Sequence, residues 1–122
     1  MMERDKPRGV LRLARAFAVS GKGLAGAWRE EAAFRQEAAF AILAVPAGLW
    51  LGRSGVERAL LVAPVLLVLV VELVNSAIEA TVDRIGPERH ALAALAKDIG
   101  SAAVLMAFVL CGVVWALVLT GH

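Results

Sequence analysis

Residues 71–86 read Val71-Glu72-Leu73-Val74-Asn75-Ser76-Ala77-Ile78-Glu79-Ala80-Thr81-Val82-Asp83-Arg84-Ile85-Gly86. They continue an uncharged apolar run over residues 59–71. That run is about 20 Å long as a helix, too short to cross roughly 30 Å of hydrocarbon unless it extends to about residue 84. In such a helix Glu72 and Glu79 lie two turns apart on one face. Asn75 and Ser76 fall between them, and Asp83 follows Glu79 by four. The stripe is about 16 Å long. An ionisable side chain within a span is costly and marks a functional site by default, facing a water-filled pocket or another subunit. The alternative is a polar seam that fixes helix register, which accounts for one buried carboxylate better than for two without a matching base.

Two further uncharged stretches flank this one, over residues 38–52 and 99–121. The second is long enough to span alone. The first needs a helix that begins around residues 30–34, and Pro46 inside it is tolerated in a membrane helix. Ahead of them, Val10, Leu11, Ala14, Phe17 and Ala18 recur at helical spacing with Arg8, Arg12 and Arg15 opposite, the pattern of a basic amphipathic helix on a membrane surface. Ser20-Gly21-Lys22-Gly23 reads as a hinge after it. Gly52-Arg53-Ser54-Gly55 reads as a tight turn, and residues 83–97 as a polar connection broken at Gly86-Pro87.

The expected fold is an all-α membrane protein, one integral-membrane domain over residues 1–122. It has a surface helix at 8–20, spans at about 30–52, about 57–84 and 98–120, and a cytoplasmic loop at 85–97. Of 13 Lys and Arg, only Arg53 and Arg58 fall on the far side of this arrangement, which puts the N-terminus and the second loop in the cytoplasm.

Composition agrees. Hydrophobic residues make up 60% of the 122 and charged residues 20%, and the mean hydropathy is +0.73, outside the range of soluble domains. Disorder, a disulfide scaffold and a nucleic-acid module are excluded, and a net charge of +2 gives the pI near 9.2 no weight as a sign of a polyanion partner. The single cysteine, Cys111, reads as apolar filler. Ala103, Ala107 and Cys111, four apart, permit close helix contact. No cleavable signal peptide is expected, because the first apolar run follows a long charged leader.

The mouth of the first span carries Glu30, Glu31, Arg35, Gln36 and Glu37. Glu31 lies in line with Arg35, Ala38 and Ile42, and Glu37 is about 240° around the helix from it, so the two carboxylates are not expected to serve one site in the same way. Lys97-Asp98, followed by Gly100-Ser101, opens the third span with a cation and an anion suited to phosphate and metal-bridged groups. Paired carboxylates hold Mg²⁺ beside substrate phosphates, and a deeper one is placed to accept a proton. Together these groups point to phosphoryl transfer to a lipid hydroxyl. No Walker-type phosphate loop is present; Gly21-Lys22-Gly23 is too short. A proton-coupled transporter is the rival of a different class, but it would spread acidic groups across the bilayer, whereas here they gather at one end. A structural subunit explains neither Glu72 nor Lys97-Asp98.

Three strings closely resemble the prokaryotic diacylglycerol kinases: Glu31-Ala32-Ala33-Phe34-Arg35-Gln36-Glu37, the 71–86 segment, and Ala96-Lys97-Asp98-Ile99-Gly100-Ser101-Ala102-Ala103-Val104. The resemblance runs from about Arg12 to the end. It implies a homotrimer of three-span subunits in the bacterial cytoplasmic membrane, with active sites shared between neighbours. The reaction implied is Mg²⁺-dependent transfer of the ATP γ-phosphate to 1,2-diacylglycerol. By resemblance Glu72 is the general base, and Glu31 and Glu79 are the metal ligands, which also border ATP. Arg12, Val19, Glu88, Arg89, His90, Lys97 and Asp98 would line the nucleotide. Arg12, Trp28, Ala33, Phe34, Arg35, Gln36, Glu37 and Ser101 would border the lipid, with Asn75 and Asp83 in support. The chain departs from the family pattern at Val19, Gly21 and Arg89, where aromatic residues are usual. Related enzymes of Gram-positive bacteria phosphorylate undecaprenol; the 31–37 string favours diacylglycerol.

Overall fold

The computed structural model describes residues 8–86 and 90–122. The described residues form four helices and no strand: α1 (Val10–Glu30), α2 (Ala32–Leu51), α3 (Gly55–Ile85) and α4 (Ala91–Thr120). They fall into two compact units, the first ending at Ala32 and the second comprising Ala33–His122.

In the first unit, α1 buries no residue. Val10, Leu13, Phe17 and Val19 are all exposed. The helix starts behind Gly9, whose φ of 56° lies in the left-handed region that favours glycine. The expected hinge at residues 20–23 is not there: α1 runs through Gly21 and Gly23 to Glu30. Each glycine costs about 1 kcal/mol against alanine in a helix, but the flanking Ala, Leu, Arg and Trp residues favour helix enough to carry it through. The break comes later, at Glu31, which is extended (φ −120°, ψ 108°) and donates its N–H to Ala27 O at 2.9 Å.

The second unit is built on the hairpin of α3 and α4, with α2 against both. Ser54 caps α3 by accepting the Glu57 N–H at 3.1 Å, and the Glu57 carboxylate accepts the Arg53 N–H at 2.9 Å. This is a capping box shifted by one residue. Arg58 Nε donates to Leu49 O at 3.0 Å, closing the end of α2 against the start of α3. Gly52 makes that closure possible, since a Cβ there would lie 2.6 Å from Arg58 Cγ and 2.9 Å from its backbone nitrogen.

Leu61, Val65 and Val68 are fully buried on α3; Val65 and Val68 cluster with Ala41 of α2 and Ala107 and Cys111 of α4, and Leu61 lies against Gly48 of α2. Cys111 is thus filler, as its surroundings in the sequence imply, whereas Ala103 is exposed. Phe40 and Phe108 pack with ring centres 5.6 Å apart. Trp115 Nε1 donates to Leu61 O at 2.8 Å, in the stretch of α3 that Pro64 interrupts. A buried indole N–H needs such an acceptor.

Most of the remaining apolar surface faces outward, including Trp50 at 83% and Leu43 at 75% exposure. In water that surface would drive aggregation; lipid is the solvent it suits. Helices α3 and α4 are long and apolar enough to cross a membrane. In α2, Arg35 and Glu37 leave only residues 38–51 uncharged, about 21 Å of helix.

The polar connection expected over residues 83–97 is largely helical. Helix α3 runs to Ile85 and α4 begins at Ala91, where His90 Nδ1 accepts the Leu92 N–H at 3.0 Å. Residues 91–97, Ala-Leu-Ala-Ala-Leu-Ala-Lys, are strong helix formers, and that propensity decides the matter over the polar residues at either end.

Candidate active site

The site grows out of the apolar seam of α3. Leu61, Val65 and Val68 are spaced by four and three, and the same alternation continues to Glu72 and Asn75. Both are buried like the apolar residues before them, at 4% and 7% exposure. At the level where the fold would ordinarily place a leucine, the sequence puts a carboxylate and an amide. The expected stripe therefore exists, with burial that fades along it. Glu72 and Asn75 are buried, Ser76 and Glu79 are half-buried, and Asp83 is exposed.

Each neighbouring helix answers this stripe. Ser76 Oγ donates to Glu72 Oε2 at 3.2 Å from one turn further along α3. From α4, Gly100 presents bare backbone to Asn75; a Cβ at Gly100 would overlap Asn75 Oδ1 and lie 3.2 Å from its Cγ. The amide oxygen is buried with no hydrogen-bond donor. From α2 comes Glu37, buried at 7%, with Glu72 as its titratable neighbour. The sequence sets Glu37 on a different face of its helix from Glu31, and the structure turns that face inward. Phe34, Glu37, Ala41 and Gly48 are the buried residues of α2, so Glu37 occupies a seam position of its own helix. The spacing of that seam was the signal available in the sequence.

Further along, Lys97 Nζ lies 2.6 Å from Asp83 Oδ1, with Glu79 near enough to act on it electrostatically. The pair is exposed and screened by solvent, so it adds little to stability. Lys97 is thus tethered to an acid at the end of the stripe, beside the seam that holds Glu72. Asp98 and Ser101 are exposed on α4, on either side of the sequence positions that pack inward.

The other expected site residues are distributed as follows. Arg12, Val19 and Trp28 lie exposed on α1 in the first unit. Glu31 is half-buried at the break after α1, and its side chain is engaged. Ala33 and Gln36 are exposed at the start of α2, Phe34 is buried, and Arg35 is half-buried and engaged. His90 is exposed and spends its Nδ1 on capping α4. Glu88 and Arg89 lie outside the described residues. Among the described residues no three His, Cys, Asp or Glu side chains converge on a common point as a metal cage. A Mg²⁺ ion carried mainly by nucleotide phosphates needs only one or two carboxylates, and the half-buried Glu79 beside Lys97 fits that role.

The arrangement is that of an all-helical, membrane-type protein with an acidic site set into its helix-packing seam. Residues 18–119 match the family model described as prokaryotic diacylglycerol kinase. The diacylglycerol kinase of Escherichia coli (strain K12) is 49% identical over 114 residues, 93% of each chain. That of Pseudomonas aeruginosa is 48% identical over 113 residues, 93% of this chain and 92% of the relative. That of Haemophilus influenzae is 44% identical over 110 residues, 90% and 93%. The chain belongs to the prokaryotic diacylglycerol kinase family, and with it to the phosphotransferases.

Proposed function

We propose that the chain transfers the γ-phosphoryl group of ATP to 1,2-diacylglycerol, giving phosphatidic acid, at the cytoplasmic face of the bacterial inner membrane. The observation that carries this reading is Glu72, a carboxylate occupying a core position of a membrane-type helix in a chain whose relatives are named diacylglycerol kinases. A buried carboxyl at that level has no packing advantage over leucine. Its value lies in accepting a proton.

In the proposed reaction the lipid hydroxyl oxygen attacks the γ-phosphorus as the bond to the β-phosphate oxygen breaks, and ADP leaves. Glu72 takes the hydroxyl proton. Ser76, bonded to Glu72 Oε2, fixes one carboxylate oxygen and leaves the other for the substrate. Lys97 exchanges Asp83 for the phosphates and offsets their charge. Glu31 and Glu79 would hold Mg²⁺, which supplies charge neutralisation across the phosphates. Arg12, Val19, Glu88, Arg89, His90 and Asp98 border the nucleotide. Trp28, residues 33–37 and Ser101 border the lipid. Asn75 and Asp83 support the site. Phosphoryl transfer of this kind needs mainly positioning and electrostatic stabilisation, which a small site can supply. The family resemblance supports three spans per subunit, the homotrimer and sites shared between neighbours.

The test is an assay of purified protein in bicelles with Mg-ATP, offering 1,2-diacylglycerol or undecaprenol. Phosphatidic acid as the favoured product supports the reading. Preference for undecaprenol, or no transfer to either alcohol, overturns it.

A further inference from the structure

Glu37 and Glu72 come from different helices, α2 and α3, and both are nine-tenths or more buried, at 7% and 4% exposure. Each oxygen of Glu37 is sealed from solvent with no hydrogen-bond donor in reach. The group that does act on Glu37 is the Glu72 carboxyl beside it. An ionised carboxylate is an acceptor only, so two of them in contact cannot bond to each other. One proton changes this: the acid O–H becomes a donor, the neighbouring carboxylate its acceptor, and the pair one of the strong charge-assisted bonds. Two adjacent negative charges held out of water repel strongly, and sharing a proton is how such pairs resolve that repulsion.

We propose that Glu37 and Glu72 hold one proton between them in the resting enzyme, with the Glu37 carboxylic acid donating to the Glu72 carboxylate and so fixing its direction toward the lipid hydroxyl. This rests on Glu72 being the base. Glu37 is then a positioning residue. The groups around it support the assignment. On α3, Glu72 is flanked by the neutral Asn75 and Ser76, and the charged Glu79 and Asp83 follow two and three turns on. On α4, the inward residue at this level is Gly100, and Lys97 is committed to Asp83. On α2 itself, Arg35 is half-buried and engaged. During turnover the hydroxyl proton goes to Glu72, Glu37 keeps its own, and the pair is briefly neutral until one proton leaves.

The full chain in bicelles, without nucleotide or lipid substrate, is examined by infrared difference spectroscopy at neutral pH for the carbonyl stretch of a protonated carboxylic acid. The expected result is one such band that disappears in Glu37→Gln and shifts in frequency without disappearing in Glu72→Gln, where the buried Glu37 keeps its proton but donates to an amide oxygen instead of a carboxylate. Its absence from the unmodified protein overturns the proposal, as does a band unaffected by Glu37→Gln, or loss of the band on adding Na⁺ or Mg²⁺ alone. This readout needs no turnover, so it is distinct from a failure of the kinase reading. The kinetic arm follows kcat and KM. Glu37→Ala should lower kcat by roughly 10- to 100-fold, the factor for losing a hydrogen bond to a charged group, with the KM for Mg-ATP little changed. Glu37→Gln should recover most of that loss, because its amide can donate. Glu37→Gln as inactive as Glu37→Ala contradicts the assignment.

Discussion

The contact between Gly100 and Asn75 makes a quantitative prediction about how α3 and α4 hold the site. A methyl group added at Gly100 would overlap Asn75 Oδ1, approach its Cγ to 3.2 Å and reach its Cβ at 3.9 Å. Both residues are buried. The obstructing atom ends a short side chain with one seam on each side, so relief requires Asn75 to leave its rotamer or the helices to part. Overpacking of this kind costs about 1–3 kcal/mol. Gly100→Ala should therefore shorten the half-life of activity at elevated temperature in detergent and reduce kcat, since Asn75 adjoins Glu72 on the seam. Asn75→Ala removes the colliding amide. In Gly100→Ala/Asn75→Ala the thermal loss should be largely recovered while turnover stays low, giving a coupling energy between the two sites of about 1 kcal/mol or more. The reasoning is refuted if Gly100→Ala is as stable and active as the parent, or if the two substitutions simply add.

Other substitutions separate packing from chemistry. Leu61→Ala empties a fully buried position and should destabilise the protein by about 2–5 kcal/mol, read as a lowered denaturation midpoint. Trp115→Phe keeps the ring but leaves Leu61 O without its indole donor, and should cost about 0.5–1.5 kcal/mol in the same measurement. Asp83→Asn releases Lys97 from an exposed pair. It should leave the denaturation midpoint nearly unchanged and lower the KM for Mg-ATP if Lys97 must leave Asp83 to meet the phosphates. Lys97→Ala should raise that KM.

What was legible in the sequence was the chemistry carried by a single helix. Residues 71–86 placed Glu72, Asn75 and Glu79 on one face by spacing alone, and the structure buries that face at Glu72 and Asn75. The turn at residues 52–54 was equally local, fixed by Ser54 and Gly52. Relations between helices were less accessible. Glu37 was measured against Glu31 on its own helix, but its role depends on which face of α2 meets α3, set by Phe34, Ala41 and Gly48. The need for glycine at position 100 depends on the register of α4 against α3, which no single segment contains. Along the chain the difficulty is of another kind. Taken one at a time, Gly21 and Gly23 spell a hinge and the polar residues bordering 91–97 a loop, whereas helix propensity sums over the whole stretch.

Glu72 is the point on which the functional account turns, and Glu72→Gln addresses it directly because the amide has the shape of the carboxyl and cannot take a proton. With purified protein, Mg-ATP and 1,2-diacylglycerol in bicelles, initial rates of phosphatidic acid formation should fall by about 10²- to 10⁴-fold, the usual contribution of a general base, with nucleotide binding preserved. A variant that forms phosphatidic acid at the parent rate would contradict the account.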